Sequence, residues 1–248
     1  MIRVILFLTA LAASSIAEAQ VKETRNVADF TEIHASSGVR VIYTQSNTKS
    51  VVVESDNQEK IDRIGTEVKN GKLRVVIKPK KGESSFNVLK VHVSAPDVTV
   101  FKADSGAHIE FENELKSKSA IKFDLSSGSL VSAEVAANSV DLDLDSGSHF
   151  TAKLNVEKVS VDMDLGSHVT LSGTSNHLDL EADSGSHFSG KDLKVKTAVI
   201  SADSASQVSI TTTESIDAKA ASVSIINYYG NPKRVETKET SLGQVNKK

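Results

Sequence analysis

The sequence predicts an all-β, solenoid-like repeat protein of about 19-residue turns with an N-terminal β-rich cap, and three observations predict it. A short corner motif returns at near-constant spacing: Asp104-Ser105-Gly106, Ser126-Ser127-Gly128, Asp145-Ser146-Gly147, Asp164-Leu165-Gly166, Asp183-Ser184-Gly185 and Asp203-Ser204-Ala205. Apolar residues stand at fixed offsets around it. Three places after the glycine come Ile109, Val131, Phe150, Val169, Phe188 and Val208; five before it, Phe101, Phe123, Leu142, Val161, Leu180 and Ile200; three before it, Ala103, Leu125, Leu144, Met163, Ala182 and Ala202. Between these columns the residues are polar, which is the period-two alternation of a strand with one buried face. A turn of this length cannot close a core alone, so successive turns must stack and merge their apolar columns into ladders.

The elements follow in order. Residues 1–19 read as a signal peptide, with Arg3, an apolar run from Val4 to Ala13, and a small-residue cleavage site at Ala17-Glu18-Ala19 ahead of Gln20. An N-terminal anchor that stays attached is the alternative. The run is too short to span a bilayer as a mature helix, no later segment is apolar enough to do so, and no cysteine is present for a thioether-linked lipid.

Residues 20–96 read as a β-rich capping part. Val39–Tyr43 and Ser50–Glu54 are strands around the turn Ser46-Asn47-Thr48. Asn57 to Ile64 suits one short helix capped by Asp56 or Asn57. Asn70-Gly71 between two apolar runs predicts a hairpin. Lys78 to Glu83 reads as a basic loop, and Leu89 to Ser94 as another strand. Residues 97–226 form the solenoid, with two main strands per turn and a short third near Leu115, Val156 and Leu193. Residues 227–248 read as a C-terminal cap and tail, the repeat fading beyond Thr211.

Composition excludes several function classes. The net charge is −3 and stays so without residues 1–19, so no basic field exists to hold nucleic acid. Without cysteine no thiol does chemistry and no disulfide staples the fold, so the core must suffice alone. No phosphate-cradling Gly-Lys-Ser/Thr loop, His-Glu-x-x-His or Gly-x-Ser-x-Gly occurs. The reading therefore assigns no catalytic residue and no cofactor.

Two constellations could still carry binding. His149, His168 and His187 occupy the same place on consecutive turns, two residues after the glycine, as does His108; Leu130 and Gln207 interrupt the column. Neutral imidazoles ligate zinc or copper, but flat stacking aims their nitrogens sideways, so a plain polar ladder and a pH-sensitive surface compete with a metal site. Asp124, Asp143, Asp162 and Glu181 share one outward column, and Asp104, Asp145, Asp164, Asp183 and Asp203 the next. Stacked carboxylates repel by about 1 kcal/mol per pair in water, which cations or lysines would relieve. The candidate cation ligands are thus His149, His168, His187, Asp143, Asp162 and Glu181. Asp141 to Gly147 superficially resembles a calcium loop, yet its glycine falls one place late and its twelfth position is Ala152, not Glu. The corner aspartates have a structural role available: an Asx-turn beside a glycine with positive φ.

Phe30-Thr31-Glu32-Ile33 leading to Gly38-Val39-Arg40-Val41, then Asn70-Gly71-Lys72-Leu73, the Ser-Gly-Ser corners, and Tyr229-Gly230-Asn231-Pro232 with a later Gly243 resemble a known family. It is that of the putative auto-transporter adhesins with a head GIN domain. The resemblance covers about Phe30 to Val245, with Ala205 and Ala221 at expected glycines and the histidine column as departures. It implies a right-handed β-helix-like fold and an exported protein, in the periplasm or on the outer surface of a Gram-negative bacterium. It also implies an adhesive role and transfers no catalytic residue. The leading expectation is a non-enzymatic envelope adhesin or surface-binding module, its partner a surface glycan or envelope protein. The alternatives are a cation-binding envelope protein using the His and Asp ladders, a carbohydrate-active enzyme, and a scaffold assembling end to end.

Overall fold

The computed structural model describes residues 21–78 and 89–248. The signal-peptide reading and most of the loop from Lys78 to Glu83 lie outside them. Within them the chain winds into a β-solenoid with two ladders of parallel strands. On the side before each corner the ladder runs Lys72–Ile77, Glu32–Ser36, Val100–Ala103, Ala120–Leu125. It continues through the later halves of Leu130–Leu144, His149–Met163, His168–Ala182, His187–Ala202 and Gln207–Ala220, to Arg234–Glu239. On the side after each corner it runs Leu89–Ala95, Arg40–Gln45, His108–Phe111, the earlier halves of the same long strands, then Ile225–Tyr229 and Gln244–Lys247.

One turn shows why these residues form it. In His149–Met163, the side chains of Phe150, Ala152, Leu154, Val156, Val159, Val161 and Met163 are buried and those between them face outward. The alternation slips once, at Glu157-Lys158, both exposed, and there the strand bends from one ladder to the other. The expected third strand is therefore a continuation around this bend at Val156 and Leu193; only at Leu115–Lys116 is it separate. The three apolar columns read from the sequence are all buried. Each large side chain so buried contributes roughly 1.5–3 kcal/mol, and stacking repeats that gain rung after rung. Phe101 and Phe123 stack in one ladder with ring centroids 5.4 Å apart, and Phe150 meets Phe123 from the other ladder at 4.8 Å.

At the N-terminal end, stacking order departs from chain order. Glu32–Ser36 and Arg40–Gln45 form a rung that sits inside the one made later by Lys72–Ile77 and Leu89–Ala95. The end is then closed by antiparallel strands: Ser50–Ser55 on Leu89–Ala95, Val21–Thr24 on Ser50–Ser55, and Ile64–Lys69 on Lys72–Ile77. The last pair is the Asn70-Gly71 hairpin, with φ of 52° and 73°. The helix is Gln58–Asp62; Asn57 caps it, accepting a 2.9 Å bond from the Lys60 amide.

Candidate functional site

The corner is a tight turn with two left-handed residues. In Asp145-Ser146-Gly147-Ser148 the middle pair has φ of 50° and 69°, and the Ser148 amide donates to the Asp145 carbonyl at 3.2 Å. That is the type I′ geometry of two-residue strand connections. The glycine does take positive φ, but so does the residue before it, including Leu165 at 47°. The aspartate oxygen accepts from the very next amide, as Asp164 does from Leu165 at 2.7 Å and Asp203 from Ser204 at 2.6 Å.

The serine after the glycine is a structural residue that the sequence reading did not single out. Ser129, Ser148, Ser206 and Ser224 are buried, and their hydroxyls donate to carbonyls of the preceding rung, Ala103, Leu125, Ala182 and Ala202. The signal was present: Ser follows each corner from Ser129 to Ser224.

Corner geometry persists where its sequence fades. Ser222-Val223 and Ser241-Leu242 are left-handed too, at 44° and 67°, and 49° and 68°. Val223, not Ala221, therefore holds the glycine's place; Ala221 holds that of the aspartate.

The corner sets two outward faces. On the face after it, strand register brings Arg40, His108, Leu130, His149, His168, His187 and Gln207 into one column. His149 and His168 stack at 4.8 Å with planes 5° apart; His168 and His187 lie 5.8 Å apart, tilted 36°. The Nδ1 of His168 donates to the Gly166 carbonyl oxygen at 3.0 Å, which leaves Nε2 facing away from that bond. Zinc–nitrogen bonds of about 2.0–2.1 Å put two ligand nitrogens at most about 4 Å apart, so stacked rings must rotate to share an ion. Burial lowers the pKa of His108; Glu110 opposes that shift and Arg40 adds to it. The next column is Ser132, Thr151, Thr170, Ser189 and Ser209. Ser132, Thr151 and Thr170, with Glu134, Lys153 and Ser172, line a shallow hollow of 310 Å³.

On the face before the corner, Asp124, Asp143, Asp162 and Glu181 do share one column. A second column, not anticipated as acidic, adds Asp141 and Asp179 on either side of Ser160. Asp141, Asp143, Asp162, Asp179 and Glu181 line a hollow of 410 Å³, with Lys122 at its edge. Lys102 lies 2.6 Å from Asp124, and Lys122 3.7 Å from Asp143. Burial, then Asp143 and Asp164, push the pKa of the Asp162 carboxyl above its usual range. The column is banded: Arg74, His34 and Lys102 precede the acids, and Lys219 and Lys238 follow them beyond Ser201. Among the described residues, no three His, Asp or Glu side chains are grouped to hold a metal ion.

The model of the family "Putative auto-transporter adhesin, head GIN domain" matches residues 29–232. The chain belongs to this family. Its fold recurs in crystal structures of related size. A putative adhesin from Parabacteroides merdae superposes with a TM-score of 0.84 at 18% identity, covering 92% of this chain and 96% of that one. A putative adhesin from Parabacteroides distasonis gives 0.84 at 19%, covering 93% and 97%. A putative lipid binding protein from the same species gives 0.82 at 18%, covering 92% and 96%. At these identities the likeness establishes the family fold. No curated protein matches the chain.

Proposed function

We propose that this protein is a non-enzymatic binding module of the Gram-negative cell envelope, exported by its N-terminal segment to the periplasm or outer surface. It holds a surface glycan along the face after the corner. The observation that carries this reading is the hollow of Ser132, Thr151 and Thr170 beside the stacked His149 and His168. Hydroxyls and imidazoles there recur at strand spacing, about 4.8 Å, a repeat suited to a polymer of sugars laid along the coil. Each hydroxyl both donates and accepts, as sugar hydroxyls do. The opposite face is acidic and repels the anionic groups common on cell surfaces. The family description supports an adhesive role, and the repeated character of both faces supports binding over catalysis.

The test is a glycan array and intact-cell binding with the mature protein. Wild type is expected to bind, and Thr151→Lys with Thr170→Lys to lose binding while keeping its β circular dichroism. Binding unchanged by that pair, or capture of protein partners alone, overturns the glycan reading.

A second reading, loose screening of the acidic face by divalent cations, is favoured by the 410 Å³ hollow and the raised Asp162. Calorimetric heat with calcium that disappears in Asp143→Asn with Asp162→Asn supports it; no heat with calcium or zinc removes it.

A further inference from the structure

We propose that the C-terminal end of the coil pairs with a second copy of this chain, end to end and antiparallel, through the strand Arg234–Glu239. This surface is separate from the two faces discussed above and does not depend on their ligand.

The terminal rung is a parallel ladder stopped in mid-pattern. Among the described residues, Arg234–Glu239 pairs only with Ser215–Ala220, and Gln244–Lys247 only with Ile225–Tyr228. Arg234–Glu239 therefore turns one row of backbone amides and carbonyls outward, the template on which another strand adds, whereas in Gln244–Lys247 the outward Val245 amide is already taken by the Glu239 carboxylate. Register also places Val235, Thr237 and Val245 directly over Ile216, Ala218 and Ile226, all buried in the rung beneath. The apolar column continues into the last rung but has no cover there: Val235 is 44% exposed, and Leu242 at the adjoining corner 81%.

The strand's sequence selects the partner and the register. It reads Arg234-Val235-Glu236-Thr237-Lys238-Glu239. Pairing with itself must keep inward residues inward, which leaves two registers of nearly full overlap, centred on Glu236 or Thr237. Centring on Glu236 sets Glu against Glu and Arg234 against Lys238. Centring on Thr237 sets Glu236 against the other copy's Lys238, twice, and Thr237 against Thr237. Opposite charges and Thr–Thr pairs across antiparallel strands are the favourable combinations, and like charges the unfavourable ones. Inward Glu239 is already partnered, accepting the Val245 amide at 2.6 Å, so it does not enter the interface as a bare charge. A twofold axis through this strand pair closes the assembly at two chains.

The chain has no cysteine, so Thr237→Cys introduces its single thiol. In the proposed register the two copies' α-carbons at 237 lie about 4.5–5.5 Å apart, within disulfide reach. Mature Thr237→Cys under mild oxidation is expected to give a covalent dimer, and Lys158→Cys at the mid-coil bend only traces. Sedimentation equilibrium is expected to show a wild-type dimer that weakens roughly tenfold in Glu236→Lys, where each Glu–Lys pair becomes Lys–Lys. Glu236→Lys with Lys238→Glu is expected to restore it. A wild type that stays monomeric at millimolar concentration overturns the proposal. So does a dimer that neither crosslinks at 237 nor responds to the charge reversal.

Discussion

The two ends of this coil stop the same stacking reaction by different means. At the N-terminal end the direction of pairing changes. Parallel rungs give way to the antiparallel strands Ser50–Ser55, Val21–Thr24 and Ile64–Lys69, and Gln58–Asp62 adds a helical turn with Ile61 buried beneath it. An aromatic group fills the lumen in the second and third rungs from that end: Phe101 lies 5.1 Å from Tyr43 and 4.8 Å from Phe111, and the Tyr43 hydroxyl donates to the Ala95 carbonyl at 2.8 Å. Burial raises the Tyr43 pKa to about 12, so the phenol stays protonated and keeps that bond at any physiological pH. At the C-terminal end the pairing does not change. The side chains do: Thr237 and Glu239 stand over Ala218 and Ala220 of the rung beneath, and the corners carry Val223 and Leu242 where the central rungs have glycine. One end is covered and the other is left open, so stability should be concentrated at the first and interaction at the second.

The largest test of that contrast is a pair of truncations. Val91→Ala truncates a fully buried side chain in the outermost parallel rung of the sealed end and is expected to lower unfolding stability by about 1.5–3 kcal/mol in a urea titration. Val245→Ala, its half-covered counterpart in the last rung, should cost less than about 1 kcal/mol, since little buried surface is lost. Equal losses would mean that the ends are equally packed, and the contrast would fall.

A smaller test uses acid. Glu54 is buried at the N-terminal end, with Lys22 and His92 each 3.0 Å from its carboxylate. Burial alone would raise its pKa, but the hydrogen bonds and charges of Lys22 and His92 hold it below the usual value. A carboxylate whose folded pKa is depressed contributes stability above the unfolded value, near 4.3, and loses it as pH falls through the folded one. Amides of Val21–Thr24 should therefore lose hydrogen-exchange protection below about pH 4, before those of the central rungs. Glu54→Gln should bring that loss to neutral pH at a cost of about 1–3 kcal/mol. Protection in Val21–Thr24 that is flat across this range would show that the latch does not hold the strand.

What was legible in the sequence follows the same division. In the middle, one residue pattern meets one environment many times, so the corner spacing alone marks the buried columns, the histidine stack and the Asp124–Glu181 column. The acidic column of Asp141 and Asp179 was harder to see because Ser160 separates its members along the stack. The serine ladder was visible but silent: its role needs the carbonyl of the rung below, which no local pattern reveals. The N-terminal end was legible only element by element. Its helix, its hairpin and the strands Arg40–Gln45, Ser50–Ser55 and Leu89–Ala95 read correctly from local signals, while Val21–Thr24 and Glu32–Ser36 went unread; and Arg40–Gln45 and Ser50–Ser55, consecutive in the chain, are separated in the sheet by Leu89–Ala95. Pairing that skips over an intervening segment leaves no mark in either strand.

The smallest effect concerns the corners themselves, and it runs in the stabilising direction. Val223 holds φ at +67° with its side chain 58% exposed. For a β-branched residue this region is strained, by about 1–2 kcal/mol, and an exposed side chain returns little of that through burial. Gly147 adopts the same turn at +69° without strain and with open space around its α-carbon. Val223→Gly is therefore expected to stabilise the protein by up to about 1 kcal/mol, once the greater freedom of glycine in the unfolded chain is set against the relieved strain. Ala205→Gly, with less side chain to accommodate at +63°, should gain less. The reverse change, Gly147→Val, should destabilise by a similar amount in a rung that has covered neighbours on both sides. If Val223→Gly instead destabilises, the exposed valine is making a contact that a single chain does not contain. A loss that appears only at protein concentrations where the dimer forms would place Val223 beside the C-terminal interface, on the partner's side of the open end.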